Sequence, residues 1–130
     1  MIVLDASVIV ELLANGAMAG AIRSELAGRD ESFLVPYLID IEVLSALRRL
    51  IVGRRIDAHR SEEFLEGLAT LPVERCAHTP LIRRIWELRH KFTAYDATYI
   101  ALAEATGSVL YTCDEKLRSG HRARVVLFAS

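Results

Sequence analysis

Cysteine is scarce in this chain of 130 residues: only Cys76 and Cys113 occur, with neither metal-ligand spacing nor a CxxC pair. A disulfide framework is therefore excluded, and small residues packed near strand ends are the expected role for both. Glycine (7) and proline (3) are also sparse, and no stretch reads as an internal repeat, a low-complexity tract or a linker. No apolar run reaches the length of a membrane helix, so no membrane association is expected. Charge of one sign is lacking too. With 16 Lys+Arg against 17 Asp+Glu, the formal charge is −1. That balance excludes a generic basic nucleic-acid binder, but not one that grips through local patches and a metal. What is present in quantity is apolar, 52% of residues with a mean hydropathy of +0.27. Part of that surplus is expected to be covered by another copy or a partner. The length suits one domain over 1–130. Met1-Ile2-Val3-Leu4 lacks a basic leader and reads as a mature strand, so a cytoplasmic protein is expected.

The pattern alternates. Short β-branched runs at 2–4, 33–35, 109–111 and 125–128, with a weaker one at 73–75, are separated by helical periodicities. This predicts a parallel sheet with crossover helices. Ser7 is expected to cap a first helix to about Ala14, broken at Asn15-Gly16 before a second segment that ends near Gly28. Pro36 suits the first turn of a helix that Gly53 stops. In it Leu38, Ile41, Leu44, Leu47 and Ile51 have the spacing of a core-facing stripe, with Glu42 offset beside Ser45 and Arg49. Asp57 caps a charged helix, and Thr79-Pro80 reads as the start of another. Thr93 or Tyr95 begins a small-residue helix that Gly107 ends.

Four acids stand at the transitions between these elements: Asp5 after the first strand, Glu42 early in a helix, Asp96 at a helix start and Asp114 after a late strand. Singly, each has a plain explanation as a helix cap, a dipole partner or, for Glu42, a surface pair with Arg48 or Arg49. Together they do not. Strand carboxyl ends in a parallel sheet converge on one edge, where such folds bind ligands. Carboxylates gathered there repel one another unless a hard cation sits between them.

These residues carry a family resemblance. Asp5-Ala6-Ser7, Pro36 followed by Glu42 through Arg49, Tyr95 through Ala103, and Gly107 through Asp114 resemble the four motifs of the PIN-domain ribonucleases, in order and spacing. In length the chain looks like a VapC-type toxin of a toxin–antitoxin pair. The resemblance implies an α/β three-layer sandwich with a central five-stranded parallel sheet flanked by helices. It also implies Mg2+ or Mn2+ held by Asp5, Glu42, Asp96 and Asp114. Asp5 and Asp96 are expected as the main ligands, because magnesium takes few protein carboxylates directly. Ser7 and Thr112 fall where the family often has hydroxyls supporting the acids. Asp40 lies outside the pattern and reads as a surface acid. The implied strand order puts Cys76 and Cys113 three strands apart, ~14 Å, beyond the roughly 7 Å limit for a disulfide.

The implied activity is hydrolytic cleavage of RNA, leaving a 5′-phosphate, in a chain silenced by a small VapB-like antitoxin; a homodimer is favoured, and transfer RNA is a substrate by analogy. Phosphodiester hydrolysis needs an activated water, neutralised phosphoryl oxygens and in-line geometry, and a carboxylate-held metal supplies them. Arg49, two turns from Glu42, is the candidate RNA contact. The alternatives are a PIN-like nuclease in RNA processing outside a toxin pair, and a PIN-fold binding module without catalysis. A haloacid-dehalogenase-type phosphatase would need an acid where Ser7 stands, and a phosphorelay receiver would need an adjacent acidic pair. His59, His78, His90 and His121 are scattered among charges, so a metal-free acid–base pair is disfavoured. Trp86, at helical spacing with Ile82 and Ile85, is expected to pack in the core or an interface.

Overall fold

A computed structural model describes residues 1–129. Five parallel strands, β1 (Ile2–Leu4), β2 (Phe33–Pro36), β3 (Glu74–Cys76), β4 (Val109–Thr112) and β5 (Val125–Leu127), form one sheet in the order β3-β2-β1-β4-β5. The helices are α1 (Ala6–Ala14), α2 (Ala19–Leu26), α3 (Ile39–Val52), α4 (Ala58–Ala69), α5 (Ile82–Glu87) and α6 (Ala94–Thr106). Every residue of β1 is buried, as expected of a central strand covered on both faces. From β1 the chain moves outward to β2 and β3, then returns across the sheet to β4 and β5. Right-handed crossovers therefore put α1 to α4 on one face and α5 and α6 on the other. The direction reverses between β1 and β4. That reversal is the topological switch point of the sheet.

Helix α6 is fastened at both ends. Thr93 caps its start, accepting from the Asp96 N–H at 3.1 Å, and Gly107 closes it in the left-handed region at φ 66°. Residues Ala97 through Ala103 are all buried, so the helix lies close over β1, β2 and β4. Its alanines keep backbones near enough for Tyr99, Ile100 and Leu102 to fill the core.

Several local expectations shift. Ser7 does not cap α1; Asp5 does, accepting from the Val8 N–H at 3.1 Å. Pro36 ends β2, paired in register with Cys76, and α3 begins three residues later. The buried stripe of α3 is Ile39, Val43 and Leu47, whereas Ile41 is 65% and Leu44 39% exposed. Both sets repeat at helical spacing, so periodicity could not choose between them. Thr79 makes no cap; Thr79–Leu81 is a 3₁₀ turn leading into α5. The strand expected at 73–75 begins one residue later. Trp86 is not in the core but 66% exposed. Cys76, on β3, and Cys113, just after β4, are free thiols, and those two strands are three positions apart.

Candidate metal site at the sheet edge

Asp5 follows β1 directly at the switch point, and its N–H donates to Tyr111 O at 3.1 Å, continuing the ladder by one rung. Its side chain is 5% exposed and tightly held. Oδ1 accepts from the Ser7 hydroxyl at 2.6 Å and the Val8 N–H at 3.1 Å, and Oδ2 accepts from the Thr112 hydroxyl at 2.5 Å. The two hydroxyls tie neighbouring loops together. Ser7 Oγ accepts from the Cys113 N–H and Thr112 Oγ1 from the Asp114 N–H, both at 2.9 Å. A carboxylate offers about four lone-pair sites, so three donors leave about one, on Oδ2. Burial raises the Asp5 pKa from 3.8 to about 6, against the three donors and with a further push from the charge of Asp114.

Asp114 caps the 3₁₀ turn Glu115–Leu117 through the Lys116 N–H at 3.0 Å. The Lys116 ammonium stands 3.8 Å from its other oxygen. Asp96, in the first turn of α6, is shifted upward by burial and then by the charge of Asp114, with Lys116 and Thr93 opposing. Glu42, in the first turn of α3, is raised by burial and by Asp96, and lowered by the Tyr99 hydroxyl and Arg49. The four acids thus fall within one another's electrostatic reach, linked in the chain Asp5–Asp114–Asp96–Glu42. Arg49 feels Glu42 without forming an ion pair to it among the described residues. Asp40 is turned elsewhere, accepting two hydrogen bonds from Arg75 at 2.7 and 2.8 Å.

Among the described residues, no three acidic, histidine or cysteine side chains stand near enough to enclose an ion directly. The donor set nevertheless fits a hard cation. All its donors are oxygens, their charges are mutually unfavourable, and Glu42 Oε1 is buried without a hydrogen-bond partner. Hydrated magnesium, which keeps several waters and takes one or two carboxylates, suits acids spaced in this way. None of the four acids lines the cleft of about 500 Å3 beside Ile82, Trp86 and Arg89.

The plain readings hold alongside this geometry. Asp5 and Asp114 do cap helical turns, and the charge of Asp114 still acts on Asp5. His121 is occupied structurally, with Nε2 2.7 Å from Leu117 O and Nδ1 accepting from the Ala123 N–H; His59, His78 and His90 are exposed. Two neighbours of the acids were not singled out by the sequence reading. Lys116 follows Asp114 by two residues. Tyr99, three residues after Asp96 and 2% exposed, is a polar-tipped aromatic one helical turn from an acid, and that spacing could have revealed it.

Residues 2–121 match the PIN domain family. The chain belongs to the PIN-domain family. Its match to VapC proteins extends over nearly the full length. It is 37% identical to Ribonuclease VapC12 of Mycobacterium tuberculosis, over 99% of this chain and 100% of that protein. To the VapC ribonuclease Mb0985 of Mycobacterium bovis it is 40% identical, over 95% and 94%. The fold of this PIN-domain chain resembles solved structures at lower identity. A Pyrobaculum aerophilum protein superposes with a TM-score of 0.70 at 23% identity, covering 95% of this chain and 81% of that one. Mycobacterium tuberculosis VapC20, a sarcin-ricin loop cleaving toxin, gives 0.65 at 18%, covering 85% and 87%.

Proposed function

We propose that this PIN-domain protein is a metal-dependent endoribonuclease toxin of the VapC type, hydrolysing RNA phosphodiester bonds and held in check by a small VapB-like antitoxin. The observation that carries the reading is the charge at the switch point. A buried carboxylate with a pKa near 6 stands in electrostatic contact with a chain of further acids, an arrangement that a divalent cation relieves. The full-length identity to named VapC ribonucleases supports the same conclusion.

When bound, magnesium or manganese neutralises charge on phosphoryl oxygens and lowers the pKa of a water it coordinates. The chain supplies the rest. Asp5 and Asp96 are the principal holders of the ion, with Asp114 and Glu42 acting through water. Ser7 and Thr112 lock Asp5 in one rotamer by donating to its two oxygens, so that its remaining lone pair keeps a single direction. Lys116, 74% exposed, and Arg49 offer cations to the substrate backbone beside the acids. Transfer RNA is the first substrate to assay, by analogy with the family, and the proposed site of action is the cytoplasm. The exposed apolar side chains Ile82 and Trp86 on one side, and Ile41, Leu44, Val52 and Leu65 on another, are the surfaces for a second copy and for the antitoxin.

The test is cleavage of transfer RNA and total RNA by purified protein, with mapped ends, with and without EDTA. Cleavage should leave 5′-phosphates, stop on chelation and vanish in Asp96→Asn while the far-ultraviolet circular dichroism is unchanged. Cleavage that survives chelation overturns the metal reading. Expression that arrests growth, relieved by the adjacent reading frame, separates a toxin from an RNA-processing nuclease.

A further inference from the structure

Among the described residues, two buried side-chain polar atoms lack hydrogen-bond partners: Glu42 Oε1 and the Tyr99 hydroxyl. They belong to the same neighbourhood, for the phenol lies near enough to stabilise the charged form of Glu42. Tyr99 is 2% exposed, and its hydroxyl lies within electrostatic reach of Glu42, Asp5 and Asp96. A buried hydroxyl beside carboxylates with its proton uncommitted is not a packing requirement; phenylalanine would fill the same core volume without the polar penalty. The need for that hydroxyl must come from what it can hold.

We infer that Tyr99 is a positioning residue for the ion site: its hydroxyl donates to the Glu42 carboxylate, directly after a small rotation or through one water, and fixes which oxygen Glu42 turns toward the cation. The acids come from two helices on opposite faces of the sheet, Glu42 from α3 and Asp96 from α6, and Tyr99 on α6 joins them across the edge. Partners of metal-binding carboxylates act in this way, and their removal typically weakens metal affinity by roughly 10–100-fold. The inference rests on the proposed metal site.

The experiment is a manganese titration of melting temperature without RNA, on the full chain, for wild type, Tyr99→Phe, Glu42→Gln and the double variant. Ligand-linked stabilisation reports affinity independently of cleavage. Tyr99→Phe should melt no lower than wild type in EDTA, yet need roughly 10-fold more Mn2+ for the same rise. The double variant should respond as Glu42→Gln alone, since both changes remove one interaction. An unchanged Mn2+ midpoint in Tyr99→Phe, or fully additive losses in the double variant, overturns the role of Tyr99 and leaves the metal site standing. If wild type gains nothing from Mn2+, the metal site and this inference fall together. Should Tyr99→Phe prove unstable, 3-fluorotyrosine at position 99 keeps the ring and strengthens the donor; a lower midpoint supports the inference, and no change or a higher one refutes it.

Discussion

Asp5→Asn should stabilise the metal-free protein at neutral pH while destroying its ion site. Burial raises the Asp5 pKa from 3.8 to about 6, so between those two pH values the native state holds a proton that the unfolded chain has released. The sign follows from that difference. The stability contributed by protonated Asp5 is fully present below pH ~4 and is lost as pH rises through about 6. A shift of about two units corresponds to about 3 kcal/mol forgone above pH 7. Asparagine removes this dependence. Its Oδ1 still accepts from Ser7 and Val8, but its amide faces Thr112, whose hydroxyl loses its acceptor at a cost of about 1 kcal/mol. The net gain is about 2 kcal/mol at pH 7–8, a rise of roughly 6–10 °C in Tm for a domain of this size. The assay is thermal melting of both proteins, dialysed against EDTA, from pH 4 to pH 8. The advantage of the variant should shrink as pH falls and reverse near pH 4–5, because the wild-type penalty disappears while the lost Thr112 bond remains. Added Mn2+ should favour only the wild type. A metal-free Asp5→Asn protein less stable than wild type at pH 7, by the same margin as at pH 4, would refute the reasoning.

Two further outcomes follow from the surface. Arg49→Ala should weaken RNA binding and reduce the slope of log K against log salt by about 0.7, the value of one single-strand phosphate contact; filter binding from 50 to 300 mM salt measures it, and an unchanged slope removes Arg49 from the interface. Trp86→Ala, at a side chain 66% exposed and stacked with Arg89 at 4.5 Å, should lower homodimer affinity by roughly 2 kcal/mol or more, the loss typical of an interface hot spot. Sedimentation velocity across a dilution series reads this directly, and a wild-type chain that stays monomeric at 100 μM removes Ile82 and Trp86 as a self-association face.

Local chemistry in this chain was legible wherever one residue type has one structural consequence. Thr93, Asp57 and Gly107 perform their caps as expected, because capping is settled within a few bonds. The alternation of β-branched runs with helical periods announced the parallel sheet, since each period buries one kind of face. Where two readings satisfied the same local rule, the chain gave no preference. Helix α3 has apolar residues at Ile39, Val43 and Leu47, and again at Ile41 and Leu44 with its N-cap Leu38, each set at helical spacing. Only docking on the sheet selected the first set. Ser7 and Asp5 are both good caps; Asp5 took the role because Thr112 and Ser7 hold its carboxylate at the end of β1.

The sequence alone therefore determined the class of most elements and the chemical character of the acids, because propensity, capping and charge act over a few residues. The tertiary structure decided the relation between them. Strands β1 and β4 lie side by side although more than a hundred residues separate them, and that pairing brings Thr112 to Asp5 and Asp114 within reach of both Asp5 and Asp96. Burial, and hence the raised pKa of Asp5 and the unmet hydroxyl of Tyr99, exists only after helices have covered both faces of the sheet. No local pattern contains it, since it depends on which distant surfaces exclude water.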